Sequence, residues 1–271
     1  MLTQDLISDT SQFKLLLRVS GEGAHAVVYS PDADGSLINA PLSYGASASD
    51  DAAKALQEAV YDNPLLLSDF KDVTVVIEPR VVTPMPEVLS AETRREALGF
   101  LTDLTACDVL EDRTGLNGSV FVGAVGHDVL TFLRRTFPTA TLTTHLGALS
   151  RYFASRLGQG NQPRMLAAFR PDAVDLIAVR GHKLLMANTF RFTDTADAVY
   201  YILASRRELG LDTEGCDLTL TGYRPHRDAV TPELRRFIER VLPLIFPPEL
   251  FKAGKDALLA PFDLMISSLC V

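Results

Sequence analysis

Two short turns carry the residues most capable of chemistry in this sequence. Arg18 and Arg170 each stand at the end of an apolar run, and a guanidinium can bind phosphate oxygens through charge-assisted hydrogen bonds. A turn of small and polar residues follows the first arginine, and its members are Ser20, Gly21, Glu22 and Gly23. If both arginines face one cleft, they could hold an anionic ligand. The alternative is that they pair with nearby carboxylates such as Glu22 and Asp172.

Other catalytic patterns are weaker. Residues 21–26 match the spacing of the dinucleotide-binding fingerprint, but the chain from Ala24 continues as a strand, whereas the fingerprint needs a helix N-terminus for the pyrophosphate. A tight hairpin is the better interpretation. Four histidines show none of the close spacing with Cys, Asp or Glu that metal ligands have: His25, His145, His182 and His226. We therefore expect no recognisable catalytic residue and no metal site.

Composition excludes several classes of protein. The chain has 271 residues, of which 47% are hydrophobic, so it can bury a large core in roughly two domains. A formal net charge of −8 argues against nucleic acid as a partner. The cysteines at positions 107, 216 and 270 form no disulfide or zinc pattern, and the N-terminus does not resemble a secretory signal. We expect a cytoplasmic protein without a membrane span, since residues 257–271 are too short for one.

The order of predicted elements occurs twice along the chain. Residues 13–89 predict three strands, a helix and a fourth strand, and residues 164–241 predict the same succession. The helices are expected near residues 51–61 and 196–209. This repetition indicates an α/β protein with two similar mixed sheets, each flanked by helices.

A segment between the two copies has its own pattern. It predicts a small inserted subdomain over about residues 107–144 in the first half. Residues 158–163 combine two glycines, polar residues and a proline, which is typical of a linker, so the predicted domains are 1–160 and 161–271. Near the other end, Thr231 followed by Pro232 predicts the start of a helix with an apolar stripe that reaches Ile245.

Two copies of this element order, separated by an insertion, resemble the actin-like ATPase superfamily, whose domains have a ribonuclease H-like fold. The layout is most similar to that of pilus-assembly actin-like proteins, which also carry a small insertion in the first domain, and the chain resembles an uncharacterised bacterial family of this fold. The resemblance implies two related domains on either side of a nucleotide cleft. The turn at Ser20–Gly23 is then expected to face the turn of Arg170, Pro171 and Asp172.

The signature positions of the active members differ in this sequence. In those members each first strand ends in an aspartate, but Arg18 and Arg170 stand at the matching positions here, and neither can ligate magnesium. Pro171 removes an amide that a phosphate would use. The strand on the adenosine side usually ends in a pair of glycines, of which Gly222 is retained and is followed by Tyr223.

These departures favour a noncatalytic scaffold or regulatory protein that binds an unknown protein partner, with a homodimer also possible. The alternative is a protein that binds ATP or ADP, or a slow ATPase or phosphotransferase, that uses the cleft between the domains. The candidate cofactor-binding residues of the cleft are those of the two turns and their neighbours: Arg18, Ser20, Gly21, Glu22, Gly23, Arg170, Asp172 and Gly222.

Overall fold

The structure is a computed structural model that describes residues 2–44, 51–212 and 215–269. Its strands, numbered in chain order, are β1 (Lys14–Val19), β2 (Gly23–Tyr29), β3 (Ile38–Ser43), β4 (Asp72–Ile77), β5 (Val81–Pro86), β6 (Cys107–Arg113), β7 (Ser119–Gly126), β8 (Thr141–Thr144), β9 (Pro163–Phe169), β10 (Ala173–Arg180), β11 (Lys183–Arg191), β12 (Asp217–Gly222) and β13 (Val241–Pro243). The α-helices are α1 (Ala52–Tyr61), α2 (Ala91–Gly99), α3 (His127–Thr136), α4 (His145–Ser155), α5 (Thr195–Glu208), α6 (Arg224–Leu234), α7 (Pro248–Ala253) and α8 (Phe262–Ser267).

The two large sheets have the same strand order. The first runs β3-β2-β1-β4-β8 and the second runs β11-β10-β9-β12-β13. In each, the first strand of its half lies at the centre, antiparallel to the next strand in sequence and parallel to the strand that follows the helix. The predicted α/β fold with two mixed sheets flanked by helices is confirmed.

Central strands are apolar on both faces because both faces of the sheet are covered. In β1, Leu15 and Leu17 pack in the core beneath α1 and α3, while Leu16 packs on the opposite face against the C-terminal helices. In β9, Met165 and Leu166 divide in the same way between two buried clusters. Alternate side chains of a strand point to opposite faces, so a continuous apolar run is what a doubly covered strand needs.

The inserted subdomain has different limits from those predicted. Its three-stranded sheet has the order β5-β7-β6, and it is covered by α2. The strand Thr141–Thr144, which the prediction placed in the insertion, pairs in parallel with β4 and completes the first large sheet. The subdomain therefore runs from about Val81 to Gly126 instead of 107–144. Strand β5 is not predicted from the sequence because it contains Pro84 and Pro86. Both prolines are tolerated because β5 is an edge strand.

The subdomain also contacts the second half. The backbone amide of Asn117, in the loop between β6 and β7, donates to the carbonyl of His182 at 2.9 Å. Leu116 and Phe121 are buried in the same cluster as Ile177 of β10. The inserted subdomain therefore packs against the second half as well as the first.

The helix predicted from Thr231 onward is also wrong. Helix α6 begins seven residues earlier, at Arg224, and the Thr231 hydroxyl donates to the carbonyl of Arg227 at 2.6 Å instead of capping a new helix. Residues Val241–Pro243 form a strand parallel to β12. This strand completes the edge of the second sheet. A short apolar run fits a buried strand as well as a helix face, so the sequence pattern alone did not distinguish the two.

The C-terminal residues return to the first half. The predicted boundary near residue 160 falls between α4 and β9, but α7 and α8 pack against the first sheet. Leu250 and Leu264 share a buried cluster with Leu16 and Val76, and the amide of Gly35 donates to the carbonyl of Lys252 at 3.1 Å. Within the described part of the chain, no helix is both long and apolar enough to cross a membrane.

Candidate functional site

The two candidate turns are tight hairpins at the ends of equivalent strands. In the first, Ser20 donates from its amide and its hydroxyl to the carbonyl of Gly23, at 3.0 and 2.9 Å. In the second, the amide of Arg170 donates to the carbonyl of Ala173 at 2.8 Å. Gly21 has no atom within 4 Å of where a Cβ would lie, so the tip of the first turn is open.

Arg18 is directed into the protein. Its Nε lies 2.8 Å from a carboxylate oxygen of Asp263 in α8, and one terminal nitrogen lies 2.9 Å from Oε2 of Glu78. Glu78 directly follows β4, and its amide donates to the carbonyl of Val19 at 2.8 Å, which holds it beside the end of β1. The side chains of Arg18 and Glu78 are only 12% and 11% exposed. A free ligand therefore does not meet this guanidinium directly.

Arg170 approaches the same glutamate from the second half. One terminal nitrogen lies 2.6 Å from Oε1 of Glu78. Its Nε and other terminal nitrogen lie 3.1 and 3.2 Å from the two carboxylate oxygens of Asp175 in β10. Asp175 is 1% exposed and also accepts a hydrogen bond of 2.6 Å from Thr189 in β11. His145, the first residue of α4, approaches this group with Nε2 at 3.1 Å from the Thr189 hydroxyl.

These contacts keep the buried acids ionised. Burial alone would raise the pKa of Glu78, but the charges of Arg170 and Arg18 outweigh it and lower that pKa to about 2. Burial also raises the pKa of Asp175, but the charges of Arg170 and His145 and the hydrogen bonds from His145 and Thr189 together outweigh burial and lower that pKa. Burial opposes the charge of both arginines, yet their acidic partners raise the pKa of each. We call Arg18, Glu78, Arg170, Asp175 and Asp263 the central network.

An outer arginine connects the two turns. Arg191, at the end of β11, contacts Asp172 in the second turn, and it lies 3.5 Å from Glu22 in the first turn. A terminal nitrogen also lies 3.4 Å from Oε1 of Glu78. The side chain of Arg191 is 62% exposed. The two turns are therefore neighbours at a surface above the central network.

Gly222 lies beside the second turn because β12 pairs in parallel with β9. Its φ is +84°, and a Cβ there would lie 2.1 Å from the carbonyl oxygen of Phe169, so this position requires glycine. The amide of Tyr223 donates to that same carbonyl at 2.7 Å. Nε2 of His226 lies 2.8 Å from the carbonyl oxygen of Pro171, which it can reach only as a donor.

The structure thus brings the predicted site residues to one junction between the halves. Sequence analysis missed the acids that bind the arginines. The interpretation that Arg18 and Arg170 pair with Glu22 and Asp172 is wrong, since the partners in the structure are Glu78, Asp175 and Asp263. The position of Glu78 directly after a strand parallel to β1 was a usable signal.

The junction does not fit a nucleotide held through magnesium. The acids nearest to the two first strands are bound by arginines, and an arginine cannot replace a carboxylate as a metal ligand. Pro171 offers no amide to a phosphate. Among residues 2–44, 51–212 and 215–269, no group of three or more His, Cys, Asp or Glu side chains is placed to hold a metal ion.

Comparison with solved structures supports the fold. A protein from Bacteroides thetaiotaomicron, described as having an actin-like ATPase fold and unknown function, is 23% identical and superposes with a TM-score of 0.75 over 98% of each chain. The PilM-PilN type IV pilus biogenesis complex contains a chain that is 14% identical, with a TM-score of 0.51 over 97% of this chain and 99% of that one. The predicted actin-like fold is confirmed.

Comparison of the sequence with protein families gives its membership. Residues 4–241 match the family described as "Protein of unknown function (DUF3822)", and the chain belongs to that family. No curated protein matches the sequence. The resemblance to an uncharacterised family of actin-like fold is thereby confirmed.

Proposed function

We propose that this chain is a noncatalytic scaffold or regulatory protein of actin-like fold that works by binding another protein. One observation carries the proposal: the arginines that stand where active members have aspartates are both neutralised inside the protein. Arg18 is paired with Glu78 and Asp263, and Arg170 with Glu78 and Asp175. In the central network, every carboxylate that could begin metal-assisted phosphate transfer is already bound by an arginine.

The charge of the central network also opposes a phosphate ligand. Within the central network three carboxylates face two guanidiniums, so its arginines carry no positive charge that is not already matched by a carboxylate. To bind a phosphate, an arginine would have to leave a partner at 2.6 to 3.1 Å, and the abandoned buried acid would then lack a counter-charge. Removing one member of a buried ion pair is strongly unfavourable.

A protein partner is supported by analogy of fold. The PilM-like neighbour belongs to a complex with PilN in type IV pilus biogenesis, so a domain of this architecture can serve as an assembly subunit. A second copy of the same chain is the other partner that we consider. Light scattering of the purified protein distinguishes a homodimer from a monomer, which would bind a different protein.

One observation favours a second candidate, nucleotide binding without hydrolysis. Arg191 is 62% exposed and reaches both turns, and the tip of the first turn at Gly21 is open. An exposed guanidinium can exchange a carboxylate for a phosphate at small cost, because exposed ion pairs contribute little. A phosphate at this place would rest on the surface of the junction and would not enter the central network.

Calorimetric titration with ATP and with ADP, each with and without magnesium, tests the proposal together with an assay of phosphate release. We expect neither a saturable heat of binding nor magnesium-dependent hydrolysis. Saturable binding that is lost in Arg191→Gln would establish the second candidate. Phosphate release that disappears in Glu22→Ala or Asp172→Ala would overturn the noncatalytic assignment, because those acids are the ones outside the central network.

A further inference from the structure

A single carboxylate joins the two halves of the molecule. Oε2 of Glu78 is bound by Arg18 of the first half at 2.9 Å, and Oε1 is bound by Arg170 of the second half at 2.6 Å. Each oxygen of the glutamate thus serves a different half. All three side chains are at most 12% exposed, so the contact is shielded from water and from salt.

We infer that Glu78 and Arg170, with Arg191 above them, form an ionic lock that holds the two halves in one relative orientation. Besides the contacts of the inserted subdomain and of His145 with the second half, three arginine–carboxylate pairs cross between the halves. Arg170–Glu78, Arg191–Glu78 and Arg191–Glu22 cross the junction. The pair of Arg170 with Asp175 lies within the second half. A rotation that opens the junction breaks the first set and leaves the second intact.

The connections between the two halves permit a rotation that the lock would restrain. The halves are joined covalently by α4 and by the segment that leads to α8, and these two helices pack side by side. The rings of Tyr152 in α4 and Phe262 in α8 meet edge to face, with centroids 5.7 Å apart. Two adjacent connections can act as a hinge, because the halves can rotate about the axis that passes through them. Other contacts must then limit that rotation.

The chemistry of the lock suits a closed resting state. Glu78 is buried between two permanent cations, and separating it from either would leave charges without partners in a region of low polarity. The lock consists of side chains of this chain alone and needs no bound nucleotide. A junction that is held shut gives a scaffold a constant surface, whereas one that opens would alter the distance between the outer helices α1 and α5.

Pulsed electron paramagnetic resonance measures that distance. Nitroxides are attached at Glu58→Cys in α1 and Glu208→Cys in α5, which are exposed positions in opposite halves. Cys107 and Cys216 are buried and are kept, and Cys270 is replaced by serine. For the full chain with its lock intact we expect one narrow distribution of distances.

The variant Glu78→Gln removes the shared charge with almost no change of shape. We expect it to raise the ratio of open to closed molecules by roughly a hundredfold, which corresponds to about 3 kcal/mol, and to show a second distance population. The matched control is Glu233→Gln, which removes an exposed carboxylate that pairs with Arg236 at 2.9 Å. The control should leave the distribution unchanged.

A second variant covers the case in which Glu78→Gln does not fold. Glu78→Asp keeps the charge, but its side chain is one methylene shorter and cannot hold both arginines at their present distances. It should also broaden the distribution. A folded Glu78→Gln or Glu78→Asp protein whose distribution matches that of the unmodified chain overturns the lock, as does an equal broadening in Glu233→Gln.

Discussion

Arg18 and Arg170 occupy equivalent places in the two halves but obtain their acidic partners in different ways. Arg170 is bound by Asp175, which is five residues further along the same hairpin. Arg18 is bound by Asp263, which is 245 residues away in the C-terminal helix that returns to the first sheet. Both then share Glu78. Apart from the shared Glu78, the acidic partner of Arg170 is therefore close in sequence, whereas that of Arg18 belongs to a distant segment of the chain.

This difference predicts that the two acids affect different properties. Asp175 should matter most for the cohesion of the second half, because it binds Arg170 and Thr189, and both belong to that half. Asp263 should matter most for attachment of the C-terminal segment. Glu78 should be sensitive to both halves, since it binds an arginine from each.

The largest effect is expected at Asp175. The variant Asp175→Asn removes a charge that is 1% exposed and bound by two nitrogens of Arg170, so it should lower the free energy of unfolding by about 3 to 5 kcal/mol. Urea unfolding at pH 7 measures this loss. Asp172→Asn is the control, since Asp172 is more exposed and pairs with an exposed arginine, and it should cost less than about 1 kcal/mol. Equal losses would contradict the distinction between buried and outer acids.

A somewhat smaller loss of stability is expected at low pH, when Glu78 becomes protonated. Its pKa is lowered from 4.5 to about 2 in the folded protein, so the unfolded chain binds the proton more readily. The stability that this provides is complete above about pH 4.5 and is lost as the pH falls towards 2, in total about 3 kcal/mol. Urea unfolding at several pH values between 7 and 2.5 should show this loss. In Glu78→Gln the slope should be smaller, and an identical slope would remove Glu78 as its source.

The local partner was predictable from sequence in principle, and the distant one was not. The apolar runs of β1 and β9 and the repeated element order suffice for the two sheets, and a tight hairpin after Phe169 places Asp175 close to Arg170. Asp263 reaches Arg18 only because α7 and α8 pack on the far face of β1, which no local pattern specifies. Strand β5 was missed for a different reason, since its prolines disfavour a strand unless it lies at an edge.

A more moderate effect is expected at Asp263. The variant Asp263→Asn weakens the charge-assisted hydrogen bond of 2.8 Å to Arg18 and should cost about 2 kcal/mol. Hydrogen exchange of residues 248–267 should become faster, because the segment loses a buried attachment to the first half. Exchange in β9 and β10 should hardly change. If Asp175→Asn accelerated hydrogen exchange in the C-terminal segment as much as Asp263→Asn does, the proposed division between local and distant partners would be wrong.

The smallest effect is expected at Arg191. A variant at this position tests how much the outer contacts contribute relative to the central network. Arg191 touches Glu22 and Asp172 in the two turns, but its side chain is 62% exposed, so water and ions compete for the same charges. The variant Arg191→Gln should therefore lower the free energy of unfolding by less than about 1 kcal/mol at low salt, and the difference should diminish in 1 M sodium chloride. The loss caused by Asp175→Asn should persist at high salt, because solvent ions do not reach that buried pair. Urea unfolding of the three proteins at both salt concentrations makes the comparison. A loss at Arg191 that is large and independent of salt would mean that the outer arginine belongs energetically to the buried network, despite its exposure.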